Sequence, residues 1–166
     1  MAAIEFTDIA HSYLPNPTRD ADWALKPLRH RWTSGGGYAL LGPSGCGKST
    51  MLNIISGLLT PTRGKLSFDG QDVIGLPPEK RNIAQVFQFP VVYDTMTVRE
   101  NLAFPLKNRG ASPQHIATQV SHIASLLEID HLLDLPAAGL SADAKQIISM
   151  GRGVIRDDIH AILLDE

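Results

Sequence analysis

The segment GPSGCGKST, residues 42 to 50, places glycines, a lysine and hydroxyl side chains at the spacing G-x-x-x-x-G-K-[ST]. Glycines let the backbone turn so that successive N–H groups point inward at phosphate oxygens. Lys48 can reach the terminal phosphates of a nucleotide, and the Ser49 hydroxyl can ligate Mg²⁺. In a chain of this length the four fixed positions coincide by chance on the order of once in a hundred cases. The pattern therefore predicts a nucleotide-binding loop made of Gly42, Ser44, Gly45, Cys46, Gly47, Lys48, Ser49 and Thr50.

Two flanking elements must hold this loop in position. The short apolar run YALL, residues 38 to 41, predicts a buried strand that leads directly into the loop. The segment MLNIISGLL, residues 51 to 59, predicts a helix that follows it. A helix that begins near Gly47 adds the positive end of its dipole to the phosphate-binding amides. The motif therefore lies in the strand–loop–helix context that it requires.

Two carboxylates follow another apolar run. Ala161 to Leu164 predict a buried strand, and Asp165 and Glu166 come directly after it. A P-loop enzyme holds Mg²⁺ with a carboxylate at the end of a neighbouring strand, usually through water. Asp165 is therefore the candidate Mg²⁺ ligand that complements Ser49, and Glu166 is the candidate base that polarises the attacking water.

The other elements predict a strand-rich first part and a helical second part. Residues 14–27 contain three prolines and clustered charge, which predicts a loop. From Thr97 onward the apolar period is helical, and Ser112 and Ser141 are candidate N-caps. The order of elements predicts a parallel α/β core with a helical insertion. The predicted strands lie at residues 4–13, 65–70, 82–87 and 161–165, and the predicted helices at residues 112–129 and 141–156.

Composition limits the classes of protein to which the chain can belong. The chain has 166 residues, of which 43% are hydrophobic and 19% charged, as is typical of one globular domain. A net charge of -2 without a block of Lys or Arg gives no electrostatic footprint for nucleic acid. Cys46 is the only cysteine, no window approaches a membrane span, and the N-terminus does not have the pattern of a signal peptide. We therefore expect a cytoplasmic protein.

Several motifs together resemble the ATP-binding subunits of ABC importers. GPSGCGKST, the later VFQ, the stretch MTVRENLAFPLK and the final ILLDE agree with that family in order and spacing over residues 3 to 166. The similarity is greatest to the carbohydrate-uptake branch, particularly to glycerol-type importers. The resemblance implies one ABC-type nucleotide-binding domain over residues 1–166. Its implied fold is α/β: a P-loop NTPase with a RecA-like parallel sheet, an N-terminal antiparallel β subdomain and a helical subdomain at about 97–156.

The resemblance also implies roles for individual residues. Gln88, in QVFQFP, matches the glutamine that senses Mg²⁺ and the γ-phosphate and couples to the transport subunit. Tyr13 matches the aromatic residue that stacks on adenine, and Trp23 is the second candidate for that role. ATP and Mg²⁺ are the implied ligands, and Mg²⁺ would be held by Ser49, Gln88 and Asp165.

The chain departs from the family at its signature segment. The family expects LSGGQ, and this sequence has LSADA at residues 140 to 144, so both glycines and the glutamine are replaced. In the family's dimer this segment, here Ser141, Ala142 and Asp143, faces the γ-phosphate bound by the partner subunit. Asp143 would bring a carboxylate toward a triphosphate. We therefore expect a heterodimer with a second ATPase subunit whose signature is intact.

The family's chains continue past the position of Glu166 with a switch histidine and further strands. We therefore expect this sequence to be the front part of a longer protein. We also expect its core to be incomplete and the chain by itself to hydrolyse little ATP. Transmembrane permease subunits are the implied partners. They would place the protein peripherally on the inner face of the plasma membrane.

Three other classes of protein are alternatives to an ABC importer subunit. A soluble P-loop kinase or GTPase would leave Gln88 and LSADA unexplained, and a GTPase would also carry N-K-x-D, which the sequence does not contain. A DNA-repair ATPase of the same superfamily would insert a long coiled coil, whereas Lys48 and Ser141 are only 93 positions apart. A nucleotide-binding regulatory or structural module without turnover is the alternative left open.

Overall fold

The computed structural model describes residues 1–165, and the chain divides into two compact units, Met1–Ile83 and Ala84–Glu166. The first unit is built on a four-stranded antiparallel sheet, in which the strand order is β2-β1-β3-β4. Ile4 and Phe6 are buried on the central strand β1, in agreement with the alternation of apolar and polar residues in the sequence. The strands are β1 (Ile4–His11), β2 (Leu25–Trp32), β3 (Arg63–Phe68) and β4 (Gln71–Asp72).

A glycine allows β1 and β3 to pair through an irregularity in register. Asp8 has a φ of 51° and Gly64 a φ of 95°, and the register of β1 against β3 shifts between Thr7 and Ala10. A Cβ atom at Gly64 would lie 2.4 Å from the Asp8 carbonyl oxygen. Only glycine therefore fits this position, because any side chain would collide with backbone.

The segment predicted as a loop over residues 14–27 has more structure than expected. A 3₁₀ helix spans Asp20–Asp22, and the last three residues of the segment belong to β2. The Asp22 carboxylate accepts hydrogen bonds from the Thr18 and Arg19 amides at 3.0 and 2.9 Å, and these backbone bonds, that of Arg19 first, lower the pKa of Asp22. The prolines misled the prediction because β2 is an edge strand, where a proline such as Pro27 is tolerated.

Residues 38–41 do not form the predicted buried strand. Leu41 is 91% exposed, and Tyr38 is also exposed. The Tyr38 ring stacks on Trp32 at 5.3 Å between centroids, and its hydroxyl accepts a hydrogen bond from the Thr33 amide at 2.7 Å. A short apolar run becomes a buried strand only where neighbouring strands pair with it, and no strand within residues 1–165 does so. This prediction was wrong.

Helix α1 (Lys48–Ser56) begins near Gly47 as predicted but ends before residues 57–59, because its C-cap Gly57 has a φ of 86°. Its C-terminal carbonyls meet Arg81, which is only 2% exposed. The guanidinium donates to four backbone carbonyls, and burial lowers the pKa of Arg81. Arg81 therefore closes the carbonyl end of α1. The four acceptors are the oxygens of Ile54 at 2.7 Å, Ile55 at 3.2 Å, Leu76 at 2.9 Å and Ile74 at 3.0 Å.

The described part of the second unit contains a two-stranded parallel sheet, with three α-helices and two short 3₁₀ helices between its strands. Leu163 is buried on the last strand, whereas Leu164 is exposed, so the predicted strand is only partly buried. The helices enclose an apolar core that includes Val98, Leu102, Val120, Ile123 and Ile148. The elements are β5 (Ile83–Val86), α2 (Val98–Lys107), α3 (Pro113–Leu126), α4 (Ala142–Val154) and β6 (Ala161–Leu164).

The predicted N-caps of the helices are confirmed. Ser112 accepts a hydrogen bond from the amide of His115, and Ser141 accepts one from the amide of Ala144. Ile148 on α4 and Ile155 at its C-cap are buried as the apolar period predicts, whereas Ile147, which the same period places on this face, is exposed. The subdomain boundaries at about 97–156 stay a prediction. Within residues 1–165, no helix is both long and apolar enough to cross a membrane.

Candidate nucleotide-binding site

The glycine-rich loop reaches α1 through residues with positive φ. Gly45 has a φ of 79° and Gly47 a φ of 96°. A Cβ atom at Gly47 would lie 2.4 Å from the backbone oxygen of Ala24, whereas one at Gly45 would meet nothing within 4 Å. The absence of a side chain at Gly47 therefore allows both the positive φ and the close approach of the Ala24 backbone, whereas at Gly45 it allows only the positive φ of the turn.

The first turn of α1 is open to an anion. Gly47 is the N-cap and has no side chain to accept from the amides that follow, so the first turn has no side-chain cap. The first amides of a helix have no acceptor within the helix, and Ser49 is exposed at this turn. These donors and the helix dipole favour negative charge at this end of α1.

Lys48 lies over the loop. Its Nζ atom donates to the carbonyl oxygens of Gly42 at 2.9 Å and Pro43 at 3.2 Å. Cys46 is exposed, but a Cβ atom at Gly42 would come within 2.5 Å of its sulfur. The cysteine thus packs against the first glycine of the motif. A triphosphate would have to replace the two carbonyls as the partner of Lys48.

Tyr13 and Trp23, the two candidates for stacking on adenine, have different surroundings. Tyr13 is 66% exposed, and its hydroxyl lies 3.2 Å from the Thr50 hydroxyl in the first turn of α1. Its ring makes an edge contact with His11 at 4.6 Å. The Arg63 guanidinium covers Trp23 at 4.8 Å from the ring centroid. Tyr13 is therefore tied to the loop's helix, whereas one face of Trp23 is occupied.

In the second unit, Gln88 and Asp165 follow neighbouring strands. The Asp165 amide donates to the carbonyl of Val86, the last residue of β5, at 3.0 Å. Gln88 is exposed two residues beyond Val86. Parallel strands end at the same edge of a sheet, so both side chains belong to that edge. Glu166, the predicted base, lies outside the described residues.

The signature segment forms the exposed start of α4. Ser141 is the N-cap, and Ala142 and Asp143 occupy the first turn. The N-terminal position suits the charge of Asp143, because a helix dipole favours a carboxylate there. The segment is thus a stable helix start even though it departs from LSGGQ.

Sequence reasoning missed a set of polar residues on α4. Gln146, Ser149 and Arg152 follow one another at a spacing of three and contact the segment after β5. A spacing of three or four places side chains on one face of a helix. A polar stripe beside the apolar face of α4 was the signal that could have revealed them.

An antiparallel sheet, a glycine loop that opens a helix, and a helical block between two parallel strands define a P-loop nucleotide-binding domain. The family model described as "ABC transporter" matches residues 25–166. The chain belongs to that family, and the resemblance to ABC importer subunits is confirmed.

Several relatives carry the names of import ATP-binding proteins. The chain is 41% identical over 166 residues to the sn-glycerol-3-phosphate import ATP-binding protein UgpC 1 of Rhizobium etli, covering 100% of this chain and 46% of the relative. It is 40% identical over 129 residues to the spermidine/putrescine import ATP-binding protein PotA of Nitrosospira multiformis, covering 78% and 35%. The chain thus spans less than half the length of these relatives.

A solved structure supports the fold. CbiO1 from Clostridium perfringens, described as part of the ABC transporter complex cbiONQ, aligns with a TM-score of 0.85. The alignment covers 98% of this chain and 64% of that chain at 24% identity. At this identity the match carries the fold alone, and it agrees with the α/β P-loop architecture predicted from the sequence.

Proposed function

We propose that this chain binds Mg²⁺-ATP, and that in the complete protein ATP hydrolysis drives solute import through permease subunits. The observation that carries the proposal is the start of α1, which has no side-chain cap and whose Lys48 side chain lies over the glycine-rich loop. The names of the relatives favour an import ATPase over the alternative of a nucleotide-binding module without turnover.

Each candidate residue has a proposed part in binding. Lys48 and the amides of residues 44–50 hold the phosphates, and Tyr13 stacks on the adenine. Ser49, Gln88 and Asp165 supply hydroxyl, amide and carboxylate oxygens, the donor set that Mg²⁺ prefers. When bound, the ion neutralises charge on the terminal phosphates.

Glu166 would accept a proton from the attacking water, and Gln88 would orient that water beside the γ-phosphate. Lys48 would stabilise the charge on the phosphate oxygens. These roles belong to the complete protein, because the chain covers less than half of its relatives.

The proposal is tested by calorimetric titration of the chain with Mg²⁺-ATP. Lys48→Ala removes a charge-assisted contact and should weaken binding by about tenfold or more. Lys65→Ala is the control, because it removes the same charge from an exposed position on β3 of the same unit. Equal affinities for the two variants, or no binding by the wild type, would contradict the proposal.

We propose that the permease docks on the second unit. An apolar groove of about 450 Å³ lies along α2 and α3. Ala103, Ile116 and Val120 form part of its wall, and Arg99, Glu100 and Lys107 add charged side chains of both signs. The relatives carry the names of different solutes, so specificity would come from other subunits. Docking would hold the protein peripherally at the inner face of the plasma membrane.

We further propose a heterodimer of ATPase subunits. In a dimer, Asp143 would approach a triphosphate bound by the partner. Two like charges 4 Å apart cost about 1 kcal/mol in water and about 4 kcal/mol at a protein surface. The helix dipole stabilises the Asp143 carboxylate by only about 0.3–1 kcal/mol. Repulsion therefore disfavours a homodimer, which would carry two altered signatures.

The heterodimer is tested by replacing the glutamate base of each subunit in turn. Glu166→Gln should abolish most ATPase activity of the complete complex, because the ATP of this subunit faces the intact signature. The equivalent change in the second subunit should cost little. Equal losses, or a fully active homodimer of the complete protein, would contradict this arrangement.

A further inference from the structure

Gln88 lies on a short arch whose two ends are both held by α4. The arch consists of residues 88–90, of which Gln88 and Phe89 are exposed. In the described part of the chain no side chain holds Gln88 itself. Its position therefore depends on the flanking residues, Phe87 and Val91.

Gln146 holds the first end of the arch. Its Nε2 atom donates to the Phe87 carbonyl at 3.0 Å, and this carbonyl belongs to the peptide bond that leads into Gln88. The Gln146 Oε1 atom is buried without a hydrogen-bond partner among residues 1–165. A buried amide oxygen without a partner has a desolvation cost. Within residues 1–165, the Gln146 side-chain amide therefore forms a hydrogen bond through its amino group alone.

The second end of the arch is held by residues one and two turns further along α4. The buried Ser149 hydroxyl accepts from the Val91 amide at 3.3 Å. Arg152 donates to the Val91 carbonyl and covers the Tyr93 ring at 4.5 Å from its centroid. Both backbone groups of Val91 are therefore bonded to α4.

The chain beyond the arch is also fixed. Lys145 forms an ion pair with Asp94 at 2.7 Å. The fully buried Asn101 accepts from the Tyr93 amide at 2.8 Å and donates to the Tyr93 carbonyl at 3.0 Å. Val91, Tyr93 and Asp94 are thus each held by α2 or α4, whereas among the described residues no side chain of these helices forms a hydrogen bond or ion pair with the arch itself.

We propose that Gln146 is a positioning residue for Gln88. By holding the Phe87 carbonyl, it fixes the peptide from which the Gln88 side chain reaches toward Mg²⁺. This inference rests on the proposed function, since it needs Gln88 to contact the metal-bound nucleotide. It assigns Gln146 a role that neither the P-loop nor the signature motif contains.

The test compares ATP affinity with and without Mg²⁺ by calorimetry. Gln146→Met keeps the side-chain length and removes the donor. We expect the Mg²⁺-dependent gain in affinity to fall by about two- to tenfold, the effect of one lost hydrogen bond. Affinity for ATP without Mg²⁺ should not change. In the Gln88→Ala background the same replacement should have no further effect, because it acts through Gln88.

Gln119→Met is the matched control. Gln119 lies on α3 of the same unit, and its amide donates to Asp157 at the exposed surface at 3.3 Å. This variant should behave as the wild type. Gln146→Glu is a second variant, which also removes the donor and should lower the Mg²⁺-dependent gain if Gln146→Met does not fold.

The outcomes separate this inference from the proposed function. The inference would be overturned, with ATP binding unaffected, if the Gln146 variants kept the full Mg²⁺-dependent gain in ATP affinity. It would also be overturned if Gln146→Met reduced that gain equally in the wild-type and Gln88→Ala backgrounds. A Gln88→Ala variant that keeps the full Mg²⁺-dependent gain would also overturn it. Absence of ATP binding by the wild type would overturn the proposed function and this inference together.

Discussion

Helices α1 and α4 begin in opposite ways. At the start of α4, Ser141 accepts from the amide of Ala144 at 3.3 Å, so the protein itself supplies an acceptor. At the start of α1, Gly47 has no side chain, and the first turn has no side-chain cap. A helix whose first amides lack a protein acceptor is suited to bind an anion, and a capped helix is suited to stability.

The C-terminal end of α1, unlike its N-terminal end, is bonded to a side chain of the protein. Arg81 donates to the carbonyls of Ile54 and Ile55, so the C-terminal end of the helix is closed. The open end is therefore part of a helix that is fixed at its other end. This contrast between closed and open helix ends leads us to expect three effects of decreasing size.

The largest effect is expected at the closed end of α1. Arg81→Met leaves four backbone carbonyls without their buried donor and should lower the free energy of unfolding by about 3 kcal/mol or more. Urea denaturation followed by tryptophan fluorescence measures this, because Trp23 and Trp32 both belong to the first unit.

The control for Arg81 is Arg29→Met. Arg29 is exposed and pairs with Asp8 at 2.8 Å on the surface of the same unit. A surface ion pair contributes at most about 1 kcal/mol. Similar destabilisation by the two replacements would show that Arg81 does not close the helix as described.

A smaller effect is expected at the open end of α1. Gly47→Ala adds a Cβ atom 2.4 Å from the Ala24 oxygen at a φ of 96°. It should lower the free energy of unfolding by about 2–3 kcal/mol and weaken ATP binding. Gly45→Ala, at a φ of 79° with open space around it, should cost only about 1 kcal/mol. Equal costs at the two glycines would argue against the close packing of Gly47.

The smallest effect concerns the capped start of α2. Glu100 accepts from the Thr97 amide at 2.8 Å, and Thr97 accepts from the Glu100 amide at 3.2 Å. The backbone hydrogen bond from Thr97 lowers the pKa of Glu100 below its ordinary value of 4.5. The stabilisation is therefore present above pH 4.5 and is lost as the pH falls through the lower folded-state pKa.

Thermal unfolding followed by far-UV circular dichroism measures this effect as the pH falls from 6 to about 3. Glu100→Gln should unfold with a shallower dependence on pH than the wild type, because the titrating cap is gone. Glu79→Gln, at an exposed glutamate of the 3₁₀ helix Pro78–Lys80, serves as the comparison. If Glu100→Gln showed the same dependence of thermal stability on pH as the wild type, the capping carboxylate would not be the cause of that dependence.

Local sequence signals determined most of the elements and the family. The caps at Ser112 and Ser141 depend on bonds within three residues, so their types and positions sufficed. Helical periodicity gave α3 and α4, and alternation gave β1. The P-loop motif is similarly local, because its chemistry resides in successive backbone amides and one lysine. The family match agrees with that prediction.

Only the tertiary structure decided which apolar runs are buried and which side chains anchor the site. The run at residues 38–41 has the composition of a strand but pairs with none within residues 1–165. Arg81 and Gln146 act on carbonyls 27 and 59 positions away along the chain. Burial and hydrogen bonding of this kind depend on partners that the fold brings together, so residue type and local spacing do not contain them.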